Sequence, residues 1–118
     1  MDKIDEMQVE LMKTLAHPRR LQILHLLAGG PMAVAPMAAR LGITQPNLSQ
    51  HLAVMRSAGV VDAERDGREV RYRLADPEVM VACTTMRGVL ERRIGRLAGL
   101  AGVTPTSAPT ETPVIQAR

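Results

Sequence analysis

The residues from Met37 to Leu74 constrain this chain more than any other part, because they read without a break as helix, turn, helix and hairpin. Pro36 begins a short helix through Met37-Ala38-Ala39-Arg40-Leu41, and Gly42 stops it, with Leu41-Gly42-Ile43 as the tight turn. Thr44 can cap a second helix that opens on Gln45-Pro46-Asn47 and runs to about Ser57-Ala58-Gly59. Two strands follow, Val60 to Arg65 and Arg68 to Leu74, joined at Asp66-Gly67, where glycine tolerates the positive φ of a tight hairpin. The implied class is mainly α with a small β-hairpin, a winged helix-turn-helix. That arrangement places one helix in the major groove of DNA.

The two faces of the second helix carry different chemistry. Leu48, Leu52 and Met55 recur at helical spacing and point inward. The opposite side offers Gln45, Asn47 and Gln50, flanked by Ser49 and His51. A helix kept only for packing more often shows Lys and Glu outside; short and amide side chains can reach base edges. In the hairpin, Val70, Tyr72 and Leu74 alternate with Glu69, Arg71 and Arg73, which gives a half-buried strand with one basic side. Arg65, Arg68 and Arg71 are therefore expected to hold the wing to the phosphate backbone.

Composition narrows the rest. A chain of 118 residues has room for one modest core, expected as a single domain over residues 1–100. With Tyr72 the sole aromatic and eight Met present, that core must come from aliphatic side chains and methionine, which suits packed helices and a partner subunit. A net charge of +3 is modest, but acidic residues gather at the start while Arg65, Arg68, Arg71 and Arg73 surround the hairpin. A lone cysteine, Cys83, excludes an intramolecular disulfide framework and fits a reducing cytoplasm. No apolar run approaches the ~20 residues of a membrane span, and the first residues lack a signal-peptide layout. The expectation is a cytoplasmic protein without a membrane partner.

Around the central motif, Asp2 can cap a first helix carrying Ile4, Met7, Leu11 and Leu15, which stops before Pro18. Arg19 to Ala28 forms a second, with Leu21, Leu24, Leu27 and Ala28 inward and Gly29-Gly30 as its end. Pro31 to Ala35 reads as a short extended run. Asp76-Pro77-Glu78 starts a long last helix, with Asp76 as cap and Pro77 in the first turn. Val79, Ala82, Cys83, Met86, Val89, Leu90, Ile94 and Leu97 form its apolar stripe. Residues 101–118 lack periodicity and are expected to be a disordered tail. Two terminal amphipathic helices cannot both bury their stripes in so small a domain. Ile4, Met7, Leu11, Met86, Val89, Ile94 and Leu97 are accordingly expected at a dimer interface.

Leu15-Ala16-His17-Pro18-Arg19-Arg20-Leu21-Gln22-Ile23-Leu24, the run Ile43 to Leu52, and Gly59-Val60-Val61 with Gly67-Arg68 and Tyr72-Arg73-Leu74 together resemble the ArsR/SmtB family of winged-helix bacterial repressors. The likeness covers roughly the first hundred residues. It implies a homodimer, paired through the first and last helices, that represses transcription from a pseudo-palindromic operator and can be released by an effector. It also places His51 among the DNA-contacting positions, and Thr44 at the helix start is expected to contact DNA with it.

At the family's effector sites this chain departs from the pattern. Ala33 and Ala35 stand where arsenic-type members carry cysteines. Asp76 and Glu78 match the early half of the zinc and nickel site, but Val89 and Arg92 replace its later ligands. A carboxylate pair without imidazole suits neither metal, so no metal and no cofactor are expected. Asp76 and Glu78 are better explained by the cap and first-turn charge of a helix.

His17 is expected to be a cap or junction residue and His25 an exposed one. Cys83 is expected to be a buried, inert thiol; the alternative, a redox or persulfide sensor as in some relatives, would need a thiol pair across two subunits. Catalysis lacks a Ser/His/Asp set, a phosphate loop or a repeated acidic pair, so the chain is not expected to be an enzyme. The competing reading is a small dimeric helical protein-interaction module with DNA binding secondary. Binding to a palindrome with sequence preference separates the two.

Overall fold

The computed structural model describes residues 2–100, so the expected tail lies outside the described residues. The described residues divide into two units between Pro77 and Glu78.

The first unit holds four helices and a small sheet. The first helix, α1, spans Lys3–Leu15, and the Asp2 carboxylate accepts from the Asp5 N–H at 2.7 Å to cap it. The second, α2, spans Pro18–Leu27, with Pro18 in the first turn and the His17 ring nitrogen accepting from the Arg19 N–H as its cap. His17 is thus the junction residue that the sequence implied. The buried stripe of α2 is Ile23, Leu24 and Leu27. That spacing turns Leu21 and Ala28 outward, against expectation, because Ile23 joins the leucines and rotates the inner face toward itself. His25 is half-buried rather than exposed.

A third strand appears that the sequence had read only as extended chain. Strand β1, Met32–Ala33, pairs antiparallel with the second hairpin strand, Met32 opposite Tyr72. The helix after it, α3, spans Val34–Leu41 and so begins two residues before Pro36. Proline is still tolerated there, because a first-turn N–H has no intrahelical acceptor.

Gly42 ends α3 in the left-handed region at φ 70, and the Ile43 N–H reaches back to the Ala38 carbonyl at 3.2 Å. The next helix, α4, spans Gln45–Ser57. Its end has the same back-bonded form: the Val60 N–H donates to the Met55 carbonyl at 2.9 Å, and the chain passes directly into the sheet.

Strands β2, Val61–Asp66, and β3, Glu69–Leu74, form the hairpin, and the sheet order is β1-β3-β2. Asp66 pairs with Glu69, so the two-residue turn is Gly67-Arg68 and not Asp66-Gly67. Gly67 has φ 67, the positive value needed at the first central position. Placing glycine there draws Asp66 into the strand and puts Arg68 at the tip of the wing.

Leu48, Leu52, Met55, Val60, Val61, Met37, Ile23 and Leu24 are fully buried and make the core of this unit. The core lies directly beneath α4 and is aliphatic and methionine-built, as the composition required.

The described residues of the second unit form one helix, α5, Glu78–Leu100. It begins one residue after Pro77 rather than on it. Met80 and Thr84 are buried, two positions outside the expected stripe. Met86, Val89, Leu90, Ile94 and Leu97 are exposed.

Candidate nucleic-acid interface

Helix α4 is held at both ends before any side chain on its outer face is considered. At the start, the Thr44 hydroxyl accepts from the Asn47 N–H at 3.2 Å, which satisfies one of the unpaired donors of the first turn. Thr44 therefore spends an oxygen lone pair on the cap. Beneath the helix, Leu48, Leu52 and Met55 have no exposed surface, so their packing fixes its rotation. Gln45, Asn47, Ser49 and Gln50 are all exposed on the side away from that core. Their amides and hydroxyl offer donors and acceptors in one patch of about one and a half turns.

His51 does not join that patch. It is half-buried and turned toward the α1–α2 junction, where its ring meets the His17 ring edge-on with centroids 4.8 Å apart. Its Nδ1 accepts from Arg20 Nε at 3.2 Å. Burial first, and then the neighbouring basic groups His17, Arg20 and Arg19, hold the His51 pKa below its ordinary value of 6.5. The physical reason for its placement is its position on the flank of α4, next to the buried stripe.

Two arginines that the sequence reading gave no role join the helices here. Arg20 Nη1 also donates to the Thr14 carbonyl at 3.1 Å, bridging the end of α1 to α4. Arg19 Nη1 donates to the Leu41 carbonyl at 3.2 Å and to Gln22 Oε1, holding the end of α3 against α2. The adjacent pair Arg19-Arg20 was the available signal, since consecutive arginines at a helix start oppose the helix dipole and need another reason to be there.

In the wing, Arg65, Arg68 and Arg71 are exposed, but they are not equivalent. The register pairs Arg65 with Val70 and Glu64 with Arg71, so Arg65 stands on the face opposite Arg71 and Arg73. Arg71 is paired with Glu69 at 3.1 Å and Arg73 with Glu64 at 3.4 Å, all four side chains about half exposed. Among the described residues, Arg65 and Arg68 make no ion pair. The uncompensated charge of the wing therefore sits at its tip and on one face.

Of the expected dimer residues, Ile4 is 68%, Met7 57%, Met86 58% and Ile94 60% exposed, while Leu11 is half-buried. Val89 and Leu97 are exposed too, and Met12 and Leu90 join them although neither was named for an interface. Cys83 is half-buried, and burial raises its pKa, which disfavours the reactive thiolate. Among the described residues no group of three or more His, Cys, Asp or Glu is placed to hold a metal ion. Nor is any described helix long and apolar enough to cross a membrane.

A capped helix-turn-helix with a basic hairpin beside it defines a winged helix-turn-helix protein. A family model described as "Bacterial regulatory protein, arsR family" matches residues 17–63. A biofilm growth-associated repressor of Agrobacterium fabrum is 50% identical over 66 residues, which span 56% of each chain. The HTH-type transcriptional regulator Rv0081 of Mycobacterium tuberculosis is 41% identical over 74% of this chain and 77% of its own length. The crystal structure of Rv0081 superposes with a TM-score of 0.74 at 36% identity, covering 83% of this chain and 99% of that one. The homodimeric winged helix-turn-helix DNA-binding domain Mb0332 of Mycobacterium bovis gives a TM-score of 0.73 at 32% identity, covering 79% and 86%. The chain belongs to the ArsR family of bacterial regulatory proteins, which are DNA-binding transcriptional regulators and not enzymes.

Proposed function

We propose that this chain is a cytoplasmic, homodimeric repressor that binds a pseudo-palindromic operator and blocks transcription from it, with residues 1–100 acting as one DNA-binding and dimerisation domain. The observation that carries this reading is the exposed Gln45, Asn47, Ser49 and Gln50 surface on a helix fixed by its cap and its buried stripe. Asn47 and Gln50 are assigned to base edges, and Ser49 and Gln45 to bases or the phosphates beside them. Arg68 and Arg65 contact the backbone from the wing, with Arg71 contributing after release from Glu69. Thr44 acts through its cap, and His51 contacts DNA from the edge of the helix.

The apolar side chains left exposed on α1 and α5 support the dimer. Ile4, Met7 and Leu11 on α1, and Met86, Val89, Ile94 and Leu97 on α5, are assigned to the surfaces that a second copy covers. Repression and homodimers in the relatives named above agree with this reading. The effector that releases the protein from its operator, if the cell supplies one, binds through groups other than the family's cysteine or histidine sets, which Ala33, Ala35, Val89 and Arg92 replace.

The test is selection of bound duplexes from a random pool by the purified protein. Enrichment of an inverted repeat, with half-sites about one helical turn or ~34 Å apart, is the expected result. Binding without any enriched sequence would favour the protein-interaction reading instead.

A further inference from the structure

Arg20 is fixed at two points, the Thr14 carbonyl at 3.1 Å and His51 Nδ1 at 3.2 Å. A guanidinium only donates and stays charged throughout the accessible pH range. Nδ1 of His51 must therefore be the lone-pair nitrogen, which leaves the ring proton on Nε2. Nε2 has no hydrogen-bond partner among the described residues.

We propose that Arg20 is a positioning residue of α4, the recognition helix, holding His51 as the neutral Nε2–H imidazole so that it meets DNA only as a hydrogen-bond donor. This rests on the DNA-binding reading above. A fixed donor selects phosphate oxygens, N7 of either purine, guanine O6 or thymine O4, and rejects the amino groups of adenine and cytosine.

The surroundings favour the same form. The charged and titratable groups that bear on His51 are His17 at the α1–α2 junction, and Arg20 and Arg19 on α2. All are basic. His17 is itself held with Nδ1 accepting, from the Arg19 N–H at 3.1 Å, so it too carries its proton on Nε2. A second proton on His51 would lose its hydrogen bond from Arg20 and add a positive charge beside the His17 ring, 4.8 Å away between centroids.

The experiment uses the free 118-residue chain first. Long-range proton–nitrogen NMR of the imidazoles, followed from about pH 8 to 5, reports tautomer and charge for the wild type, Arg20→Leu and Arg20→Lys. Wild-type His51 should show the single Nε2–H tautomer and ionise below its ordinary value of 6.5. Arg20→Leu should mix the two tautomers and move the ionisation of His51 upward. Arg20→Lys keeps the charge and three donors, but on a single nitrogen without the rigid fork that reaches Thr14 and His51 together, so it should fall between them.

The second arm titrates the selected operator over the same pH range. Wild-type affinity should show no step from His51, whereas Arg20→Leu should gain one that disappears in Arg20→Leu/His51→Asn. An Nδ1–H tautomer in the wild type overturns the proposal even if Arg20→Leu does not fold. So does an identical His51 titration in wild type and Arg20→Leu. A wild-type chain that binds no operator overturns the functional reading beneath it, and does so in the DNA arm alone.

Discussion

Thr44 shows how a single side chain sets the site from within its own helix. Its hydroxyl holds the first turn of α4, which carries Gln45 and Asn47. Thr44→Ala should lower stability by about 0.5–2 kcal/mol, read from urea denaturation, and should weaken operator binding through fraying of that turn. Thr44→Ser should restore both. The cap was legible because it is local, three residues from its donor. His51 was not legible in the same way. Its partner Arg20 lies 31 residues away in sequence, so the wheel position of His51 alone favoured an outward reading.

The same histidine predicts a pH dependence of folding. Its pKa is lowered in the folded state, mainly by burial, so the unfolded chain takes up the proton first. The contribution of His51 is therefore fully present above its ordinary value of 6.5 and is lost as pH falls from there through the folded value. The urea midpoint should drop over that window in the wild type and drop less in His51→Gln. Equal acid sensitivity of the two proteins would remove His51 as the cause.

At the scale of elements, the wing and the recognition helix were largely readable because each is written in a short, strong pattern. Leu48, Leu52 and Met55 give a period of helix, and Val70, Tyr72 and Leu74 a period of strand. The one-residue shift of the turn was not readable. Both Asp66-Gly67 and Gly67-Arg68 are acceptable local turns, and cross-strand pairing of Asp66 with Glu69 decides between them. Strand β1 was missed for a related reason, since two residues carry no alternation of their own and the strand exists only through β3.

The shift has a measurable consequence. Arg68 at the tip is unpaired among the described residues, while Arg71 already faces Glu69. Arg68→Ala should weaken binding to operator and random DNA alike and reduce the salt slope by about one. Arg71→Ala should change the slope less, because its charge is already partly compensated. If the two substitutions have equal effects, Glu69 does not hold Arg71 in the bound state.

For the whole molecule, the sequence pointed to two copies because it carries more apolar helix surface than one chain can bury. Ile94 remains 60% exposed and Leu97 54%. Sedimentation at micromolar concentration should give a dimer, and Leu97→Glu should dissociate it by placing an unpaired charge in the apolar face. Dimerisation then fixes how the recognition helix must be tested, since every substitution appears twice on a full operator. Asn47→Ala or Gln50→Ala should cost about 1–3 kcal/mol per half-site, and random duplex should lose much less. Titrating the full operator, an operator with one half-site scrambled, and random DNA at one salt concentration separates these contributions. The penalty on the full operator should approach twice that on the half-scrambled one, with random DNA nearly unchanged. Equal losses on all three would mean that Asn47 and Gln50 contact phosphate only, and that α4 does not read the sequence.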